Sequence, residues 1–105
     1  MFGKNKNKEE SLSLAKDRIC FAVMKDDDNF AKELVYKLKD GSPLVINFEE
    51  INESATNKFL AFFSGAAVAF EGKIIFVKTN VYLFARKEDF LDGSLKEFLN
   101  SRTRK

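Results

Sequence analysis

Histidine is absent from this chain of 105 residues, and Cys20 is its only cysteine. These absences exclude an intramolecular disulfide, zinc sites built from Cys and His, and catalysis that depends on a histidine base. The five glycines are dispersed, so neither G-x-G-x-x-G nor a Walker A phosphate loop can be written. We therefore expect no catalytic residues, no cofactor and no metal site.

Long apolar runs are also missing. The longest, residues 59–70, has about 12 residues, whereas a bilayer span needs about 20. The N-terminal sequence MFGKNKNKEE has no apolar core of a secretory signal, and an unpaired Cys20 is typical of a reducing compartment. We expect a cytoplasmic protein.

The charges are distributed unevenly. Lys4, Lys6 and Lys8 lie in a stretch without acids, and residues 102–105 are basic and acid-free, which leaves 12 basic against 16 acidic groups in residues 9–101. We expect a flexible basic tail over 1–15, one domain over 16–100, and a second basic tail over 101–105. Basic tails either keep a domain soluble or attract it weakly to anionic lipid or an acidic partner.

Hydrophobic patterns predict the order β-α-β-α-β-β-β. Residues 19–24 and 43–48 read as strands, and apolar residues at helical spacing follow each of them. Asp28 or Asn29 could cap the first helix and Asn52 the second. The parallel pair could be the first two strands, or the second strand with the one that follows it.

Three further strands are predicted over 66–70, 73–78 and 81–85, joined as an antiparallel meander. A short helix after Asp92-Gly93-Ser94 would close the chain. The fold class is therefore an α/β two-layer sandwich, with a mixed sheet of about five strands and the two main helices on one face.

The strands at 74–77 and 81–84 are apolar at both parities, so side chains on both sheet faces require burial. One hypothesis is that the second face, or the sheet edge, contacts another protein. The alternative is that the C-terminal segment folds back over it.

Other candidate chemistry has a structural explanation. The acids at 26–28 and 49–50 start predicted helices, where they favour the helix dipole, and Cys20 fits a buried small hydrophobe. Aromatic residues mixed with lysines (Lys73, Phe76, Lys78, Tyr82) could instead form a small nucleic-acid-binding module, although the acidic core disfavours nucleic acid as a partner.

Several short segments together resemble the SepF family of bacterial cell-division proteins. They occur in the family's order and extend over roughly residues 19–99: Val45-Ile46-Asn47, a helix with Ala55 and Lys58, Phe62-Phe63-Ser64-Gly65, the hairpin at 69–74, Val81-Tyr82-Leu83, and Asp92-Gly93-Ser94-Leu95. Ala61 stands where the family usually has an acid, and Arg86 where a proline usually ends the strand.

The resemblance implies a non-enzymatic adaptor that forms homodimers and higher polymers, and binds the C-terminal tail of FtsZ at the division site. The family's aromatic contact maps to Tyr82, with Val81, Phe76 and Lys78 around it; Phe76 replaces a basic residue. Self-association maps to Gly65, with Phe62 and Ala66 beside it.

The resemblance also implies that the protein helps to tether FtsZ filaments to the membrane. Family members begin with an amphipathic helix and a long linker, whereas this chain begins with Met1 and Phe2, followed by Gly3 and a polar tail. Two apolar residues supply little membrane affinity. The sequence still allows a weak attraction of the basic residues Lys4, Lys6 and Lys8 to anionic lipid.

Overall fold

Four strands form one mixed sheet in the computed structural model, which describes residues 13–103. They are β1 (Cys20–Val23), β2 (Leu44–Asn47), β3 (Lys73–Lys78) and β4 (Val81–Ala85). The sheet order is β1-β2-β4-β3: β1 and β2 are parallel, and β4 pairs antiparallel with both β2 and β3. The first of the two alternatives for the parallel pair is therefore confirmed, and β1 and β3 are the edges.

Three helices accompany the sheet: α1 (Asp28–Lys39), α2 (Glu53–Ala69) and α3 (Ser94–Thr103). Short 3-10 turns cover Ala15–Arg18 and Lys87–Phe90. Asp27 is the N-cap of α1, and its carboxylate accepts the backbone N–H groups of Asn29 and Phe30, so the predicted cap at Asp28 or Asn29 was one or two residues late. Asn52 caps α2 as predicted, accepting the N–H of Ala55.

The predicted strand over 66–70 is wrong, because α2 continues to Ala69 and the sheet has four strands instead of five. The alanine-rich sequence after Gly65 has high helix propensity, which outweighs the β-branched Val68. The helix ends in a Schellman arrangement, in which Gly72 N–H donates to the Ala67 carbonyl and Glu71, at φ 58°, adopts the left-handed conformation.

Gly72 is required by the close approach of two backbones. A Cβ at this position would collide with the backbone carbonyl of Ala85 at the end of β4. The glycine therefore lets the chain leave α2 and enter β3 directly beside its partner strand.

α1 and α2 cover one face of the sheet and enclose the larger core. Its fully buried members include five large aromatic or sulfur-containing side chains: Met24, Phe48, Phe59, Phe63 and Phe84. Cys20, which was predicted to be a buried small hydrophobe, packs against this core but is only half-buried.

The second face is covered by α3 and the N-terminal 3-10 turn. Leu95 is fully buried there against β-strand residues including Val77 and Leu83, with Phe98 and Leu99 partly buried beside it. The C-terminal segment therefore folds back onto the sheet, which makes three layers where the sequence predicted two. This burial accounts for the apolar residues of β3 and β4 that face α3, such as Val77 and Leu83.

Hydrogen bonds hold the N-terminal turn to the start of α3. The Ala15 N–H donates to Oδ2 of Asp92 at 2.9 Å, and the Lys16 N–H donates to Oγ of Ser94 at 3.0 Å. Ser94 donates both its backbone N–H and its hydroxyl to Oδ1 of Asp92. These bonds from Ser94, with the one from Ala15, lower the pKa of Asp92.

A buried carboxylate fixes the chain after β4. Asp89 is fully buried and accepts the guanidinium of Arg86 at 2.8 Å and that of Arg18 at 3.5 Å. The hydrogen bond from Arg86 to Asp89 raises the pKa of the Arg86 guanidinium. Arg86 also donates to the carbonyl of Lys39, so this ion-pair cluster ties the exit of β4 to the end of α1.

Candidate protein-interaction surfaces

The four residues predicted to bind a partner do not form one patch. Tyr82 and Phe76 project from the sheet face that α1 and α2 cover, whereas Val81 and Lys78 line a groove on the opposite face. The alternation of side chains along β4 separates the adjacent Tyr82 and Val81 in this way.

Three rings make edge contacts from the core to the sheet edge. Phe48 is buried and meets Tyr82 at a centroid separation of 6.2 Å, and Tyr82 meets Phe76 at 5.7 Å. Both separations lie in the range of favourable edge-to-face pairs. Phe76 lies on the edge strand β3 and remains 58% exposed, and Ile74 on the same strand is also exposed. These residues present an apolar surface, supported from the core, beside an unpaired strand.

The three residues predicted for self-association lie on α2. Helical spacing with Ala55, Phe59 and Phe63 predicts that Phe62 lies on the inner side of the helix. It is instead 41% exposed and lines a groove of about 290 Å³ between α1 and α2, opposite Ala31 and Lys32. Gly65 is exposed, and Ala66 is half-buried. A Cβ at Gly65 would meet no atom within 4 Å, so packing within one chain does not require glycine there.

A second groove, of about 450 Å³, opens on the α3 side of the sheet. Phe21 and Val23 of β1 form one wall, and Phe98 of α3 lies 6.1 Å from the Phe21 ring, measured between centroids. Among the described residues that line it, Lys78 is the only charged one. The sequence analysis missed Phe21 and Val23, although both lie at one parity of β1 and therefore share a sheet face.

The acidic run before α1 has structural partners. Asp27 caps the helix, and Lys58 of α2 pairs with Asp28 at 3.1 Å and with Asp26 at 3.8 Å. Within residues 13–103, no group of three Cys, Asp or Glu side chains is arranged to hold a metal ion.

The membrane candidates Met1, Phe2, Lys4, Lys6 and Lys8 lie outside the described residues. In the part of the chain that the structure does describe, none of the helices has the length and apolarity needed to cross a bilayer.

These features define the class of protein: a small α/β domain that exposes apolar side chains on an edge hairpin, on the outer side of α2 and in a groove beneath α3. Comparison with known proteins gives the family. The sequence model described as Cell division protein SepF matches residues 23–88, more than half of the chain. The chain belongs to the SepF family.

Individual relatives agree with this assignment. The chain is 32% identical over 82 residues to a cell division protein SepF of Alkaliphilus oremlandii, an alignment that includes 76% of this chain and 56% of the relative. It is 33% identical over 61 residues to that of Carboxydothermus hydrogenoformans, with 58% and 44% covered. The chain thus spans about half the length of the curated relatives it matches.

Proposed function

We propose that this chain is a cytoplasmic, non-enzymatic adaptor at the division site, which binds the C-terminal tail of FtsZ at the β3–β4 hairpin and self-associates through α2. The observation that carries the proposal is the exposed ring of Phe76, which lies on the edge strand β3 and contacts the ring of Tyr82 on β4. Aromatic side chains that are exposed and supported from the core are typical anchors of protein interfaces.

The edge strand offers a second mode of contact. β3 pairs only with β4 among the described strands, so its outer edge carries backbone groups that an extended peptide can pair with. Alternate side chains of such a peptide would face Phe76 and Ile74, which supports recognition of apolar residues.

Charge supports a partner that carries acidic residues. Lys73 and Lys78 are exposed at the two ends of β3. No carboxylate of the described residues lies within 4 Å of the ammonium of either lysine. A peptide lying along the edge would pass between these positive charges.

The test is isothermal calorimetry with an FtsZ tail peptide. Tyr82→Ala removes the ring between Phe48 and Phe76, and we expect the dissociation constant to rise by about 30-fold or more, equivalent to about 2 kcal/mol. Tyr36→Ala is the matched control, because Tyr36 is an exposed tyrosine on α1. Equal affinities of the Tyr82→Ala and unmodified proteins, with both folded by circular dichroism, would reject the site.

Phe76 offers a gain-of-affinity test. Phe76→Lys introduces a third positive charge between Lys73 and Lys78 and restores the basic residue implied by the family resemblance. Tighter binding at low salt, lost at high salt, is expected from an acidic peptide. Weaker binding would mean that losing the Phe76 ring from the contact costs more affinity than the added charge supplies.

Self-association through α2 is supported by Gly65. Two α2 helices can approach closely where a helix exposes glycine and alanine, and the exposed Phe62 and half-buried Ala66 lie one turn or less away. A homodimer would bury this surface, and a second contact would extend it to higher polymers.

Membrane attraction is the remaining part of the proposal. Lys4, Lys6 and Lys8 would contribute up to about 1 kcal/mol each near an anionic surface. Co-sedimentation with vesicles of mixed anionic and neutral lipid at low salt tests it, with Gln at all three positions as the control. Absence of the unmodified protein from the pellet would remove membrane binding from the proposal.

A further inference from the structure

The groove beneath α3 is lined mainly by apolar side chains. Phe21 and Val23 of the edge strand β1 form one wall, and they are 62% and 51% exposed. Val77 and Val81 line the groove from the sheet, and Lys78 supplies the one charge found among its described residues. With a volume of about 450 Å³, the groove is large enough to accept a phenylalanine side chain.

Exposed carboxylates lie at the rim of this groove. Asn47 lines the groove, and its Oδ1 accepts the backbone N–H of Glu49 at 2.8 Å, so the exposed pair Glu49 and Glu50 follows the lining directly. On α3, Glu97 is exposed next to Phe98 in sequence. No Lys or Arg nitrogen of the described side chains lies within 4 Å of these three carboxylates. The rim therefore suits a partner that is basic beside its apolar part.

The segment that precedes the described residues has this complementary character. Its sequence is MFGKNKNKEESL, in which the apolar pair Met1 and Phe2 is followed by Lys4, Lys6 and Lys8 at alternate positions. Side chains alternate along an extended chain, so an extended segment with this spacing would carry its three ammonium groups on one side. An apolar pair joined to a row of positive charges matches both the groove and its rim.

The segment is also long enough to reach the groove. Ser13 is the first described residue, and its backbone carbonyl accepts Nη1 of Arg18 at 2.9 Å, which holds it beside the N-terminal 3-10 turn. That turn is hydrogen-bonded to Ser94, the first residue of α3, and Phe98 lies about 6 Å further along the helix. Phe2 is eleven positions before Ser13. A flexible chain of that length spans about 18 Å on average and about 36 Å when extended, so Phe2 can reach the groove of its own chain.

We propose that residues 1–8 dock onto their own chain, with Phe2 in the groove beneath α3 and the three lysines beside the carboxylates of the rim. Lys78 belongs to β3, at the opposite edge of the sheet from β1, whereas Glu49 and Glu50 follow β2, which pairs with β1. The lysines therefore leave the groove over the end of β2, away from the positive charge of Lys78.

Docking and the proposed membrane attraction exclude each other. Both use Phe2 and the same three lysines, so a segment held in the groove is not available to anionic lipid. The docking itself rests on the groove, its rim and the length of the segment. It requires neither a membrane, nor FtsZ, nor pairing through α2.

Disulfide trapping within one chain tests the contact. In a Cys20→Ser background, Gly3→Cys and Val23→Cys are introduced together, and bridged monomer is measured by mass spectrometry after mild oxidation of a dilute sample. Gly3→Cys with Tyr36→Cys is the control, because Tyr36 is exposed on α1, which covers the opposite sheet face. We expect the Val23 pair to form at least about tenfold faster than the Tyr36 pair, because docking raises the effective concentration of the two thiols.

Two changes within the trapping pair identify what holds the segment. Phe2→Ser should lower the rate to that of the Tyr36 control, whereas Leu12→Ser, which changes an apolar residue outside residues 1–8, should not. Gln at all three lysines should slow trapping several-fold at low salt, and high salt should slow the unmodified segment in the same way.

Three results would overturn the proposal. Equal rates for the Val23 and Tyr36 pairs would exclude docking in the groove. Disulfide-linked dimers in place of the bridged monomer would mean that the segment reaches a second copy. A rate that Phe2→Ser leaves unchanged would mean that the phenylalanine does not enter the groove.

Amide NMR spectra of the full chain test the contact without a cross-link. Phe2→Ser should shift the amide resonances of Phe21, Val23 and Phe98, which line the groove, and leave that of Tyr36 in place. Circular dichroism checks that the fold is retained. Shifts confined to residues 1–12 would contradict the docking.

Discussion

Substitutions at Gly65 should affect the stability of a single chain and its self-association differently. It lies in the interior of α2, where glycine is less favourable than alanine by about 1 kcal/mol because of its backbone entropy. Nothing within 4 Å would meet an added Cβ, so no steric cost offsets the gain. Gly65→Ala should therefore stabilise the isolated chain by about 0.5–1 kcal/mol, a shift of several degrees in melting temperature for a domain of this size.

Gly65→Lys should act in opposite directions on the two properties. Lysine is also a better helix former than glycine, so the free energy of unfolding should not fall. Its long charged side chain, however, prevents two α2 helices from approaching closely. We expect a chain at least as stable as the unmodified protein that no longer pairs through α2.

Two measurements are needed. Urea unfolding, at a concentration where the unmodified protein is monomeric, gives the free energy of unfolding, and sedimentation at high concentration gives the association. A Gly65→Ala monomer that is less stable than the unmodified one would mean that the added Cβ does meet a neighbouring atom. Undiminished association of the Gly65→Lys variant would refute pairing through Gly65.

Three further predictions concern the fold. Asp89→Ala should cost about 2–4 kcal/mol in urea unfolding, because it leaves Arg86 without its buried partner; a loss below 1 kcal/mol would show that the cluster is not important for stability. Gly72→Ala should destabilise by at least about 2 kcal/mol, because its Cβ would meet the Ala85 carbonyl, and a neutral effect in thermal melts would show that the backbones can separate. The lowered pKa of Asp92 stabilises the fold above its ordinary pKa and loses this contribution as pH falls through the folded value. Unfolding at pH 7 and pH 3 should therefore show a smaller acid sensitivity for Asp92→Asn, and identical pH profiles would contradict the assignment.

Local sequence determined most of the secondary structure. Strands β3 and β4 have the predicted bounds, because apolar residues, flanking lysines and the turn at Asn80 act over short distances. Asn52 was identifiable as a helix cap for the same reason, since capping needs only the three residues that follow. The predicted fifth strand is wrong because residues 66–70 combine alanines that favour helix with a β-branched Val68 that favours strand, and burial of Ala67 in the folded chain adds to the preference for helix.

The interaction surfaces were less predictable, because they depend on which face each residue reaches after folding. The sequence named Tyr82 and Val81 as neighbours, and the pleat of β4 put them on opposite sides of the sheet. Phe62 matched the helical period of the core, but it lies on the flank of α2 beside α1 and stays exposed. The groove joins Phe21 and Phe98, which are far apart in sequence, so no local pattern could indicate it.

The sequence alone determined three things. Its composition excluded disulfides, Cys/His zinc sites and histidine-based catalysis, its short-range periodicity predicted most elements of an α/β fold, and short segments in the family's order carried the SepF resemblance. The tertiary structure decided which of the many apolar side chains are buried and which remain exposed. Folding α3 back over the sheet buries Leu95 and part of Phe98, whereas Phe76, Phe62 and Leu91 remain exposed. A helix of ten residues is too short to cover the second face completely, and the groove at its end is the part that it leaves open.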